Sequence, residues 1–200
     1  MALKDLVAAL RQRGRNAPRL MIAVAGPPGA GKSTLSRQLA DALGDSAILQ
    51  ADGFHFDDML LDRLGKRHRK GAPDTFDVDG LDIMIGRLRR RDPVLAPIFD
   101  RRLEIARAAA IEIEPQRRYV IVEGNYLALN SAPWNRLRMH FDVVVFIDVQ
   151  RDELERRLVR RWTELGSTPD EVHRHVVGND LLNVDTVLTD SGGFDFVVTG

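Results

Sequence analysis

Cysteine is absent from the two hundred residues. Its absence excludes disulfides, thiolate catalysis and cysteine-ligated zinc, and it fits a reducing, cytoplasmic setting. Net charge is missing too. The 29 basic side chains match the 29 acidic ones, so no global field draws in nucleic acid or an anionic membrane. Anion recognition must therefore come from local clusters. No apolar run approaches the roughly 20 residues of a membrane span. The first residues, M-A-L-K-D-L-V-A-A-L-R-Q-R-G, do not read as a signal peptide. Leu3, Leu6, Val7 and Leu10 follow helical spacing and are interrupted by Lys4 and Asp5. Lysine is scarce, 4 against 25 arginines. That bias reflects either codon usage or planar, bidentate phosphate recognition, and only the position of each arginine separates the two. Repeats, low-complexity tracts and dividing linkers are also lacking, so the expectation is one domain over residues 1–200.

Five apolar runs read as strands: Arg19–Gly26, Ala47–Asp52, Tyr119–Gly124, Asp142–Val149 and Phe194–Thr199. The central ones are nearly continuous in Val and Ile, the pattern of strands covered on both faces. Helical spacing fills the intervals at Gly31–Leu43, Val78–Arg90, Arg102–Ile111, Ser131–Met139, Arg151–Leu165 and Asp170–Asn179. Strands alternating with helices argue for an α/β fold, a parallel sheet with helices on both faces. The least regular segment, Gly65–Val78, is basic and then turn-rich; such a stretch in a compact chain is usually functional or mobile.

Gly26-Pro27-Pro28-Gly29-Ala30-Gly31-Lys32-Ser33 matches G-x-x-x-x-G-K-[S/T], with a strand before it and a helix after it. Glycines let the backbone curl with its amides pointing inward around an anion, and the following helix adds exposed amides and its positive end. In this pattern Lys32 reaches the outer phosphates, Ser33 ligates Mg²⁺ and Thr34 contacts the innermost phosphate; Gly26, Gly29, Ala30 and Gly31 form the cradle. The glycine order is wrong for the dinucleotide fingerprint G-x-G-x-x-G. The chain is thus read as a nucleoside triphosphate binder. Three classes compete: a small-molecule kinase, a GTPase-type switch, and an ATPase serving a partner protein. The N-K-x-D that reads guanine is absent.

In open parallel sheets ligands bind beyond the C-terminal strand ends, where Asp52, Glu123 and Asp148 fall by pattern. Asp52 is the candidate to accept or orient the proton of an attacking hydroxyl; the alternative is a turn-forming Asp before Gly53. Glu123 is the candidate to hold Mg²⁺ through water. Asp148 competes for that role, or caps the helix near Arg151.

These motifs occur in a fixed order: A-G-P-P-G-A-G-K-S-T from Ala25, A-D-G-F-H from Ala51, R-K-G-A-P-D-T-F-D from Arg69, V-E-G-N-Y from Val122 and R-R-L-V-R-R-W from Arg156. Together they resemble the uridine kinase, pantothenate kinase and phosphoribulokinase group of P-loop kinases from about residue 20 to about residue 190. Within it they are most similar to the small bacterial proteins labelled nucleoside/nucleotide kinase family or fructose transport system kinase. The resemblance implies a three-layer P-loop NTPase fold, with a five-stranded sheet of order 2-3-1-4-5 and a helical lid at about residues 151–168. It implies ATP as donor with Mg²⁺, Asp52 as base, and the arginine helix as lid. In a sheet of that order Glu123's strand lies beside the loop-bearing strand, and Asp148's lies on the other side of it. D-G-F-H and K-G-A-P depart from uridine kinases in the acceptor region, and the chain is shorter than pantothenate kinases; both departures bear on the acceptor.

His55 reads as a hydrogen-bond partner for the acceptor or as a packed residue between Phe54 and Phe56. Asp100 and Arg101 read as acceptor contacts or as a surface ion pair. Tyr126 is a candidate aromatic wall, and Trp134 reads as core. On Arg151–Leu165 the apolar stripe is Leu154, Leu158 and Trp162, while Arg157, Arg160 and Arg161 share a face. Three cations there fit a lid over transferred phosphate, or a solvated helix with Glu155 and Glu164. Asn179 and Asn183 lie where the resembled group lines its adenine pocket. The expectation is an ATP-dependent kinase acting on a hydroxyl of a sugar such as fructose, a nucleoside or a pantothenate-like alcohol, with a nucleotide-driven ATPase or switch as the alternative. The partner is a small molecule rather than nucleic acid or membrane, and the chain is a monomer or homodimer.

Overall fold

The computed structural model describes residues 1–200. The helices are α1 (Leu3–Arg13), α2 (Lys32–Leu43), α3 (Asp58–Arg63), α4 (Val78–Arg89), α5 (Arg151–Glu164), α6 (Pro169–His175) and α7 (Leu181–Asp190). The strands are β1 (Leu20–Ala25), β2 (Ser46–Gln50), β3 (Val94–Asp100), β4 (Ile105–Ile113), β5 (Tyr119–Gly124), β6 (Val143–Asp148) and β7 (Phe196–Thr199). Five of them form one parallel sheet of order β2-β5-β1-β6-β7, the 2-3-1-4-5 arrangement counted over the sheet's own strands.

Every residue of β1 and β5 is buried, as their unbroken apolar runs require. Period-two alternation splits β1 between two layers. Met21, Ala23 and Ala25 face α4, Trp134 and the bases of β3 and β4. Leu20, Ile22 and Val24 face α1, α2, α5 and α7. Each fully buried aliphatic side chain contributes about 1.5–3 kcal/mol, so these two layers hold the sheet rigid beneath the loops at its C-terminal edge.

Three readings of the sequence are corrected. Arg102–Ile111 is not a helix. It is a turn followed by β4, which pairs antiparallel with β3. The alanine-rich run favours a helix locally, but pairing lets Val94, Ala96 and Ile113 reach the core, and left-handed backbone at Glu104 and Ala109 is incompatible with a helix. The alternation I-E-I at 111–113 was the available signal. Ser131–Met139 becomes a short 3-10 helix over Trp134–His140, anchored where the Trp134 indole donates to the Pro73 carbonyl at 2.9 Å. Asp170–Asn179 is not one regular helix but α6 followed by a π turn over Val176–Asp180, which leads into α7.

Arg19, just before β1, is 6% exposed and has no carboxylate partner. Its guanidinium donates to the carbonyls of Leu88, Glu114, Pro115 and Arg117. One cation thus ties the end of α4 to the chain between β4 and β5. Burial depresses its pKa.

Candidate active site

The loop from Gly26 to Thr34 joins β1 to α2 at the C-terminal edge of the sheet. Gly29 and Gly31 take φ values of 82° and 91°, which any Cβ would strain, and Gly31 is the N-cap of α2. The amides of the first turn of α2 therefore open toward the cavity. The Lys32 side chain is buried, and its ammonium donates to the Pro27 carbonyl at 2.9 Å. Burial pushes its pKa down to about 8, against the opposing charges of Glu123 and Asp52. A buried cation with one neutral partner is a site that an anion completes.

Ser33 Oγ donates to Glu123 Oε1 at 2.8 Å. Glu123 ends β5, in register with Val24 of β1, so its carboxylate lies beside the phosphate loop and is 6% exposed. Burial and the charge of Asp52 raise its pKa. Asp148 ends β6, is exposed, and does not line the cavity. No cluster of three or more acidic or histidine side chains exists to hold a metal alone. That donor set fits Mg²⁺, which takes one or two protein oxygens and fills its octahedron with phosphate oxygens and water. Ser33 and Glu123 are the residues that would hold it.

Asp52 lies on a 3-10 turn, Ala51–Phe54, directly after β2. Its Oδ2 accepts from Arg101 Nη2 at 2.7 Å. The same turn delivers His55, whose ring lies 4.0 Å from that of Phe76 and 4.7 Å from that of Phe99. His55 is thus both packed and facing the cavity, which merges the two readings of the sequence. Opposite these groups, α5 turns Arg157 and Arg161 inward. Arg157 pairs with Glu153 at 2.8 Å and reaches the Gly29 carbonyl at 3.5 Å. Arg161 has a depressed pKa through burial and the nearby charge of Arg101. Arg160 is exposed and does not line the cavity, so the expected three-arginine face is a pair.

Asn183 is 2% exposed. It accepts from Arg69 at 3.2 Å and donates to Asn179 at 3.3 Å. Asn179 in turn donates to the Lys70 carbonyl at 2.8 Å, so both asparagines join the π turn and α7 to the basic segment. Loop, turn, hairpin tip and α5 enclose one cavity of about 740 Å³.

Two expected acceptor contacts are corrected. Tyr126 is 1% exposed; it packs on Phe76 and Trp134, and its hydroxyl donates to the Gly71 carbonyl at 2.5 Å. Its ring fills core, and the cavity wall is its neighbour Asn125. Asp100 caps the hairpin turn by accepting from the amides of Arg102 and Leu103, each at 3.1 Å, and pairs with Arg107. It lies off the main cavity, and only its neighbour Arg101 enters it. Sequence reasoning missed Asp58, Lys70, Glu104, Trp162, His175 and Asp180 as cavity residues. The basic composition of Gly65–Val78 pointed toward Lys70. Glu104 and Asp180 come from the hairpin tip and the π turn, and Asp58, Trp162 and His175 from α3, α5 and α6.

Residues 21–180 match the Phosphoribulokinase / Uridine kinase family. The chain belongs to that family. A uridine kinase from Geobacillus kaustophilus is 35% identical over 159 residues, 76% of this chain and 72% of that protein. The uncharacterized protein YggC of Escherichia coli K12 is 32% identical over 186 residues, 90% of this chain and 77% of that protein. Among solved structures, a protein from Silicibacter sp. TM1040, provisionally named a fructose transport system kinase, is 37% identical with a TM-score of 0.94, covering 99% of each chain. This member of the phosphoribulokinase/uridine kinase family is a P-loop small-molecule kinase, and the family uses ATP with Mg²⁺.

Proposed function

We propose that the protein transfers the γ-phosphate of ATP to a hydroxyl of a small molecule, with Asp52 as base. The observation that carries this reading is the convergence of Lys32, Asp52, the Ser33–Glu123 pair and Arg161 on one cavity. The triphosphate lies along the Gly26–Thr34 loop, where the Lys32 ammonium exchanges the Pro27 carbonyl for phosphate oxygen. Mg²⁺, held by Ser33 and Glu123, would supply charge neutralisation for the triphosphate. The acceptor hydroxyl stands against Asp52. Its oxygen bonds to the γ-phosphorus, the bond from that phosphorus to the bridging oxygen breaks, and its electron pair leaves with ADP. The hydroxyl proton passes to Asp52. The transition state is loose, so Asp52 contributes as much by orienting the hydroxyl as by basicity. Arg157 and Arg161 cover the transferred group and keep water, the competing acceptor, away.

The test is ADP release from ATP–Mg²⁺ across sugars, nucleosides and pantothenate-like alcohols, with Asp52→Asn as control. An acceptor that stimulates release, with turnover falling about 10²–10⁴-fold in Asp52→Asn while ATP still binds, supports the reading. Full activity in Asp52→Asn refutes Asp52 as base. Hydrolysis that no small molecule stimulates points instead to an ATPase coupled to a partner.

A further inference from the structure

Three hydrogen-bond acceptors in the cavity have no donor opposite them. His55 Nδ1 lies 2.7 Å from the Asp52 carbonyl, and a carbonyl only accepts, so Nδ1 carries the hydrogen. Burial lowers the pKa of this ring, so it is neutral at neutral pH and Nε2 presents a lone pair. Asp52 Oδ1 is free, because Arg101 engages Oδ2. Glu104 sits at the hairpin tip between β3 and β4, half-buried, and lines the same cavity. No side chain or amide donates to its carboxylate, and burial raises its pKa. Its backbone lies at φ 55°, a left-handed conformation that glycine adopts with less strain.

The cations around these acceptors are already engaged. Lys70 contacts Asp58 at 2.6 Å and the Glu104 carbonyl at 2.5 Å. Arg67 contacts Asp58 at 3.0 Å and Asp62 at 3.2 Å, and Arg101 holds Asp52 at 2.7 Å. Lys32 and Arg161 have no carboxylate hydrogen-bond partner; Arg161 lies within electrostatic reach of Glu104 and Asp52, and in the kinase reading the transferred phosphate takes it up. An acidic acceptor would therefore meet Glu104 and Asp52 while competing with the triphosphate for Arg161. A nucleobase fares no better. The cavity's other rings are His68 and the mutually stacked Trp162 and His175, and the ring beside His55 is Phe99. It is approached by His55 at 4.7 Å and by the Lys70 ammonium at 5.5 Å, which leaves no slot for stacking.

Unpartnered acceptors call for a ligand that brings donors. We propose that the phosphate acceptor is a neutral polyhydroxy compound of monosaccharide size, with Glu104 and His55 Nε2 each receiving one of its hydroxyls while a third meets Asp52. The proposal rests on the kinase reading. It adds Glu104 as a specificity-determining residue and sets nucleosides and hydroxy acids aside.

The experiment measures ADP release from ATP–Mg²⁺ with a ketohexose, an aldohexose, a pentitol, uridine, glycerate and pantothenate. Glu104→Gln and Glu104→Asp are assayed beside the native chain and Asp52→Asn. Glu104 is on a partly exposed turn, so these variants keep the core intact. One polyol is expected to exceed the nucleoside and both acids in kcat/KM by about tenfold or more. Glu104→Gln raises the KM for that polyol by about tenfold, without a matching rise in the KM for ATP, and Glu104→Asp recovers part of the loss. Asp52-dependent phosphorylation of uridine or of an acid at higher kcat/KM than every polyol overturns this inference and leaves the kinase reading standing. So does a polyol KM within twofold of native in Glu104→Gln. If no compound raises ADP release above the Asp52→Asn background, the kinase reading fails and takes the inference with it.

Discussion

Lys32 gives the phosphate loop a measurable pH signature. In the free protein its ammonium is buried against the Pro27 carbonyl, and burial holds the pKa at about 8. About nine-tenths of the protein then carries the charge at pH 7, and about one-tenth at pH 9. The triphosphate binds the charged form, because its oxygens replace the solvation that burial removed and raise the lysine pKa in the complex. The free lysine has a lowered pKa, so it loses its proton as pH rises through about 8 and affinity falls in the same direction. The competent fraction drops about tenfold, so the apparent Kd for a non-hydrolysable ATP analogue with Mg²⁺ rises about tenfold between pH 7 and pH 9. Calorimetric titration at pH 7, 8 and 9 reads this directly. Lys32→Met removes the group and supplies the nucleotide's own pH dependence as a baseline. A native Kd constant within about twofold, or the same slope in Lys32→Met, would refute the assignment of Lys32 as the titrating cation.

Two further outcomes follow from named contacts. Glu123→Gln removes the carboxylate charge beside Ser33 and raises the Mg²⁺ concentration for half-maximal turnover by about 10–100-fold; an unchanged Mg²⁺ requirement would return Asp148 to consideration. Arg19→Met takes one donor from each of four carbonyl oxygens, three of which keep another donor, from Arg91 or Arg117, and lowers stability by about 3 kcal/mol, a fall in Tm of about 6–12 °C for a chain of this size. Calorimetry or thermal circular dichroism checks it, and a loss below about 1 kcal/mol would mean that water satisfies those carbonyls.

The phosphate loop and the parallel sheet were legible because their signals are local, whereas the order of the strands came only from the family resemblance. Gly29, Gly31, Lys32 and Ser33 must be adjacent for one backbone curl to surround a phosphate, and strands buried on both faces leave unbroken runs of Val and Ile. The positions of Asp52 and Glu123 follow from the same logic, since one lies just past a strand and the other in the last two residues of one, on the edge that bears the loop. The hairpin was not legible. The alanine-rich residues of β4 favour a helix in isolation, and only pairing between β3 and β4 over the core makes them a strand. Everything the hairpin carries was hidden with it: Asp100 leaving the site to cap a turn, Arg101 crossing to Asp52, and Glu104 held in left-handed backbone over the cavity. Tyr126 shows the converse. Its type suited a binding wall, but a single residue of β5's following loop points into core, and Asn125 beside it takes the cavity. The sequence by itself determined the phosphate loop, because that chemistry is built from neighbours along the chain. Only the tertiary structure decided the acceptor half, because its groups come from segments whose meeting depends on packing.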